Sequence, residues 1–226
     1  MPLFFFIVNT AAFQRAADIP GFGLQSYLQF YAPVALLTAI FISSGGTGIE
    51  IVSDISSGFL NRLFLTPVNR WLIVFAKLAA VGVKSAGLVL IMMALLTLFG
   101  APFTGGLFGW LAILLFAFIF AMAWAGIGLT LAFLTKNPRL VQSSFIFFFP
   151  FSMITTAQLP LNLLDGWYKV IVQINPVTYI LECMRAVIIH ADFSGAFWLG
   201  LIVAIACAAV TLSIATWAFK KSILKA

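Results

Sequence analysis

Six acidic residues, twelve basic residues, two cysteines and one histidine are the strongly reactive side chains of this 226-residue chain. They are too few and too scattered for most enzyme chemistry. No Ser-His-Asp, Cys-His or paired-carboxylate arrangement falls within an apolar run, so an intramembrane hydrolase finds no support. Cys183, Cys207 and His190 cannot assemble the four ligands of an ordinary structural zinc site. Cys183 lies in a mixed segment and Cys207 inside an apolar run, which argues against a disulfide. His190 and Asp192 could be a proton relay or metal ligands, but a lone pair in a loop reads as ordinary surface. The sequence carries no GxxxxGK[ST] loop, so no nucleotide site of that kind is present. Charge gathers instead in SDISSGFLNRLFLTPVNR, residues 53–70, where Asp54, Arg62 and Arg70 interrupt a chain only 8% charged.

Apolar elements must position that stretch. Hydrophobic residues make up 63% of the sequence, 25 residues are phenylalanine and mean hydropathy is +1.16. A lipid-spanning helix needs about 20 apolar residues. The long runs here do not alternate at period two as barrel strands would. The fold class is therefore an all-α polytopic membrane protein, with no polar segment long enough for a separate soluble domain. Spans are expected near 27–46, 78–99, 107–134, 141–158 and 196–219. A partial span over 1–13 makes about six transmembrane helices, and the rest of that first span is expected upstream. Gly100 to Gly109 is an uncharged turn, and Lys136, Asn137, Pro138 and Arg139 form a tight polar one. An outer segment of short helices, dipping into the membrane without crossing it, is expected over 160–191.

The net charge of +6 reads as membrane orientation and not as nucleic-acid binding. Arg62, Arg70, Lys77, Lys136, Arg139, Lys220, Lys221 and Lys225, eight of the twelve basic residues, fall on one side. Arg15, Lys169 and Arg185 fall on the other, with Lys84 inside a span. The bias places residues 53–70 and the C-terminus in the cytoplasm.

Within the polar stretch, Ile51, Ile55, Phe59 and Leu63 recur every four residues, with Ser53, Asp54, Ser56, Ser57, Asn61 and Arg62 over much of the rest. That is an amphipathic helix over 50–66, broken at Thr66-Pro67 and restarted near Arg70. It either lies on the inner membrane surface or docks a cytoplasmic partner.

Here the residues carry a resemblance. GTGIEIVSDISSGFLNRLFLTPVNRWLIVFAK resembles the segment between the second and third spans of type-2 ABC exporter permeases of the daunorubicin-resistance type, with Glu50, Thr66, Pro67, Arg70 and Lys77 at matching positions. LPLNLLDGWYKVIVQINPVTYILECMRAVI is similar to that family's outer segment, through Leu159-Pro160, Asn175, Pro176, Tyr179, Glu182 and Arg185. The resemblance implies a six-span half-transporter that forms the substrate path with a second copy of itself or a homologous permease. ATP and Mg would sit on separate ABC ATPase subunits, with no cofactor bound by this chain. It implies that residues 50–66 are a coupling helix, with Glu50, Asp54, Phe59, Arg62, Leu63, Thr66, Pro67 and Arg70 carrying contact with the ATPase. It also implies a multi-pass protein of a prokaryotic plasma membrane, in contact with lipid.

Three further sets of residues leave alternatives open. Lys84 either snorkels to the inner surface or takes part in a path or buried ion pair. Glu182 and Arg185 form a local pair on a short helix or a gate. Ser143, Ser144, Ser152, Thr155 and Thr156 either bond back to their own helix or line the path beside Phe147. Rival functions are an ion-coupled secondary carrier, for which internal repeats and mid-membrane acids are missing, and a non-transporting subunit of a membrane complex. The topology has a direct test. In a form lacking Cys183 and Cys207, Lys169→Cys should react with a membrane-impermeant thiol reagent on intact cells and Ser57→Cys should not. The reverse pattern inverts the orientation.

Overall fold

In a computed structural model the described residues are 2–20, 22, 24, 26–59, 69–101, 103–144 and 148–223. They form ten α-helices: α1 Pro2–Ala12, α2 Tyr27–Gly45, α3 Thr47–Ser56, α4 Arg70–Leu98, α5 Gly106–Thr135, α6 Pro138–Ser144, α7 Phe148–Met153, α8 Gly166–Ile174, α9 Pro176–His190 and α10 Gly195–Ile223. No strand occurs among the described residues. Four stretches are long and apolar enough to cross a membrane: α2 continued through α3, then α4, α5 and α10. A fifth such unit is the pair α8 and α9, bent by 81° at Asn175.

Short polar side chains set where these helices begin. Ser26, Asn69 and Asn175 each accept a backbone N–H two residues on, capping α2, α4 and α9. The turn at Lys136 to Arg139 follows the same logic. Lys136 ends α5 in the left-handed conformation at φ 51°. The Asn137 side chain then accepts from the Arg139 N–H at 2.9 Å, with Pro138 opening α6. The expected span at 141–158 is described as two shorter helices, α6 and α7, with 145–147 outside the described residues. The helix expected over 50–66 is described as α3, which begins at Thr47 and ends at Ser56, with Gly58 at φ 73° turning the chain after it.

α5 is the central post, packed against α2, α3, α4 and α10. Its Phe120 and the half-buried Trp124 meet the Phe41 ring of α2 edge-on, with centroids 5.4 and 4.6 Å apart. Ser43 of α2 and Ser85 of α4 share a buried hydrogen bond of 2.8 Å. Small residues bring the helices close, as expected where lipid offers no hydrophobic contrast. A Cβ on Gly126 would lie 2.8 Å from Thr211 of α10. A similarly close approach holds α3. A Cβ on Gly48 would lie 2.7 Å from the Gly128 carbonyl of α5 and 2.5 Å from Val141 of α6. Exposure differs sharply between helices: 67% of the most apolar window of α2–α3 is buried, against 11% in α10. α2 is thus an inner helix and α10 turns most of its surface outward.

Because the Gly128 carbonyl is backbone and cannot swing aside, Gly48→Val should destabilise the fold by about 1–3 kcal/mol. Thermal melting in detergent should show this, whereas Gly87→Ala, where a Cβ meets nothing within 4 Å, should melt like the parent. Equal melting of the two variants would show that α3 is not seated on α5.

Candidate functional site

The described part of the polar stretch is docked on the chain's own helices. Thr47, Gly48, Ile51 and Val52 of α3 are buried against α5 and α6, while Ser53, Ser56 and Ser57 are exposed. Part of the stripe read as facing lipid or a partner therefore faces inward. Its next member, Ile55, is partly buried against the core, and Phe59 beyond it is half exposed. Arg62, Leu63, Thr66 and Pro67 lie outside the described residues. Arg70 starts α4, beside its Asn69 cap.

Two ion pairs bridge α3 to α4. Asp54 Oδ2 lies 2.5 Å from Lys77 Nζ, and Glu50 Oε1 lies 3.5 Å from Lys84 Nζ. The acids are four residues apart and the lysines seven, so both pairs fall on facing stripes of the two helices. The first pair is half-buried. The second is open to its surroundings, with side chains 62% and 56% exposed, and adds little by itself. Asp54 thus already has a cationic partner within the chain, and Lys84 meets Glu50 in an open pair, not the buried ion pair weighed as one alternative.

This end of the bundle also collects four further basic groups, Lys136, Arg139, Lys220 and Lys221. Phe133 at the end of α5 packs on Phe219 of α10 at 4.9 Å, which brings Lys220 and Lys221 to the level of Lys136 and Arg139.

At the opposite end a buried arginine organises α9. Arg185 is 5% exposed. Its guanidinium donates to Glu182 Oε1 at 2.7 Å, to the Thr156 hydroxyl at 2.9 Å, to the Thr156 carbonyl at 2.6 Å and to the Phe30 carbonyl of α2 at 3.4 Å. It also stacks over the Phe30 ring at 3.7 Å. The Thr156 hydroxyl donates in turn to Glu182 Oε1. Glu182 and Arg185 are therefore a local pair extended across three segments of the chain. Tyr27 joins α2 to the same turn through Gln158, at 3.2 and 3.3 Å.

Asn175 and Pro176 form the inner corner of the outer segment. The Asn175 amide donates to the carbonyls of Phe151 and Ile154 at 2.8 and 2.6 Å, while its Oδ1 accepts from Val177. Every polar group of that side chain is used. Tyr179 donates to the Gln173 carbonyl at 2.7 Å and so closes the bend between α8 and α9. Asp192 accepts from the Ser194 hydroxyl and backbone N–H, which holds its carboxyl below the usual carboxylate range. It organises the loop into α10.

Two lateral cavities open on the bundle. One of about 700 Å³ is lined by residues of α5, α6, α7, α9 and α10, Ser143 among them. One of about 300 Å³ lies against α1, α2 and α7 and includes Ser152. Ser143 and Ser152, two of the candidate path residues, thus line different cavities. Ser143 also donates back to the Leu140 carbonyl at 2.9 Å. Thr155 is buried, donates to the Ser152 carbonyl and accepts from the Ala157 N–H, so its hydroxyl lines neither cavity. Ser144 ends α6, and Phe147 lies outside the described residues.

A family model described as ABC-2 family transporter protein matches residues 8–217. The chain belongs to the ABC-2 transporter family. It is a multi-pass membrane protein of that transporter family, all-helical and with the daunorubicin-resistance type of relative expected from its motifs. A putative transport permease, ycf38, of Cyanophora paradoxa is 29% identical over 85% of this chain and 67% of its own length. A probable doxorubicin resistance ABC transporter permease protein, DrrC, of Mycobacterium tuberculosis is 27% identical over 82% of this chain and 66% of its own. The daunorubicin resistance ABC transporter permease protein DrrB1 of Streptomyces coeruleorubidus is 24% identical over 94% and 74%. The chain spans about two thirds of the length of the first of these ABC-2 relatives.

Phe30 and Gln158 were not singled out by the sequence, and Thr156 was read only as a hydroxyl of its own helix or of the path, because their partners lie 26 to 155 positions away. The arginine cluster yields a prediction. Breaking a buried pair by removing one partner costs about 3–5 kcal/mol, and Glu182 is 41% exposed, which favours the lower end. Arg185→Met should therefore lose about 3 kcal/mol of stability, and Glu182→Gln, which keeps an acceptor oxygen but leaves the buried guanidinium without its countercharge, a comparable amount. Melting curves in nanodiscs would show it; an Arg185→Met variant melting like the parent would remove the cluster's structural role.

Proposed function

We propose that this chain is the transmembrane permease subunit of an ATP-driven exporter, paired with a second copy or a homologous permease. ATP and Mg bind on separate ABC ATPase subunits, and the assembly sits in a prokaryotic plasma membrane. Family membership supports the transporter role, and the relatives named for doxorubicin and daunorubicin resistance favour an amphipathic substrate. The observation that carries the mechanism is the Asp54–Lys77 pair. A force applied beyond the end of α3 reaches α4 through that pair and reaches α5 through the Gly48–Gly128 contact. Phe59, half exposed just after α3, is the described apolar anchor offered to a cytoplasmic partner. Closure of the ATPases on ATP would move this end of the bundle as one piece. Hydrolysis would let it return.

The test co-expresses the chain with a P-loop ATPase encoded by a neighbouring reading frame, and measures ATPase co-purification, ATP-driven efflux of an anthracycline and substrate-stimulated hydrolysis. Loss of one buried docking anchor costs about 2 kcal/mol or more, so Phe59→Ala should weaken association about 30-fold. Asp54→Ala and Lys77→Ala should keep association but lose stimulation, with a stability change under about 1 kcal/mol. Exchanging the charges, Asp54→Lys with Lys77→Asp, should restore stimulation. Parental behaviour of Phe59→Ala and Asp54→Ala together would dismiss the coupling role.

A further inference from the structure

The 700 Å³ cavity is a feature that the proposed mechanism leaves unused. It runs beside α5 from Phe120 to Thr135, a rise of about 22 Å at 1.5 Å per residue. Its inner limit is set by Pro176 and Val177 at the corner of α8 and α9, and by Cys207 half-way along α10. Its other end opens between Thr135 and Leu140, at the basic end of the bundle. The walls are almost wholly apolar. It lies alongside α10, the helix that turns most of its surface outward, so the cavity opens towards the bilayer.

The mouth has a charge of its own. Lys136 directly follows Thr135 and Arg139 directly precedes Leu140, and both are exposed. Among the described residues neither has an ion-pair partner. The acids nearest in the fold, Glu50 and Asp54 on α3, are committed to Lys84 and Lys77. Lys220 and Lys221 at the end of α10 add to the positive field. A dry channel ending at unpaired cations matches one kind of occupant: an apolar chain carrying an anion at one end.

We propose that this groove seats one acyl chain of an anionic phospholipid, with the phosphate headgroup at Lys136 and Arg139. The groove is longer than the roughly 15 Å half-thickness of a hydrocarbon core, so it takes a chain from the adjacent leaflet without deforming the bilayer. Basic groups at a membrane surface each favour an anionic lipid by about fivefold, so the pair gives about 25-fold preference over a zwitterionic lipid. The seated chain fills the space between α10 and the short helices α6 and α7. Lipid composition then sets how firmly those helices rest on α5.

The half-buried Trp124 lines the groove and reports on it directly. The full chain is prepared with Trp71, Trp110, Trp167, Trp198 and Trp217 replaced by Phe and placed in nanodiscs containing brominated phosphatidylglycerol or brominated phosphatidylcholine. Quenching of Trp124 should half-saturate at about 25-fold lower mole fraction for the anionic lipid. Lys136→Asn with Arg139→Gln should bring the ratio close to one, asparagine being tolerated at the left-handed position of Lys136. Ala206→Phe, which fills the groove wall, should lower quenching by both lipids. Equal quenching by the two headgroups, or selectivity unchanged in the charge variant, overturns the proposal. So does a Cys207–Cys207 cross-link in high yield with Trp124 shielded from both lipids, which would put a second copy in the groove. Should the single-tryptophan form fail to fold, native mass spectrometry of the unaltered protein decides: phosphatidylglycerol retained by the parent and lost from the charge variant supports the site, and equal retention overturns it.

Discussion

Arg185 can be held away from water only because three separate pieces of chain supply oxygens to it. A guanidinium has five N–H donors in a fixed plane, and leaving any of them bare in an apolar setting is costly. Glu182 supplies the countercharge from one turn earlier on α9, Thr156 supplies a hydroxyl and a carbonyl, and Phe30 supplies a carbonyl and a ring face. The geometry admits little variation, so α9, the turn after α7 and the start of α2 must meet in one arrangement. Asn175 adds a second fixed point at the other end of α9, by satisfying the carbonyls of Phe151 and Ile154 near the end of α7. The outer segment is thereby pinned at two places to α7 and its following turn. If α7 moves, α9 has to follow.

The opposite end is built differently. There α3 continues from α2, and its link to α4 is electrostatic while its link to α5 is steric. The Asp54–Lys77 pair tolerates small sliding without breaking, because the long Lys77 side chain can follow the carboxylate. The Gly48–Gly128 contact does not. A push on α3 therefore passes to α5 as a rigid displacement and to α4 as a softer pull. Since α5 touches α2, α4 and α10, it distributes that displacement through the bundle.

The difference between these two ends explains what could be read from the sequence. Helical class, the long spans and the family were legible because hydropathy and local motif spacing are properties of contiguous residues. Glu182 and Arg185 were visible as a pair because they are three apart, but not as a hub, since Thr156 and Phe30 come from distant segments. The α3 stripe misled in part: Ile51 has the spacing of a surface helix, yet the absence of a side chain at Gly48 and Gly128 lets that face dock inward. Nothing in the periodicity distinguishes an apolar stripe facing lipid from one facing another helix, since both are equally apolar. Likewise the hydroxyls of Ser143, Ser152 and Thr155 are close in sequence, but α6 and α7 are separate helices and send them to different places.

The two cavities also differ in a way that assigns them different neighbours. The smaller one, between α1, α2 and α7, carries polar atoms of Asn9, Thr38, Ser152 and Gln158 among its apolar walls. The larger one beside α10 carries almost none. Polar side chains facing hydrocarbon lose hydrogen bonds to water and gain nothing in return, so a face that keeps them is better matched to protein or to a hydrated solute. The α10 side is therefore the better match to hydrocarbon, and the α1–α2–α7 side, where Phe30 of α2 also meets the arginine cluster, the better match to protein or a hydrated solute.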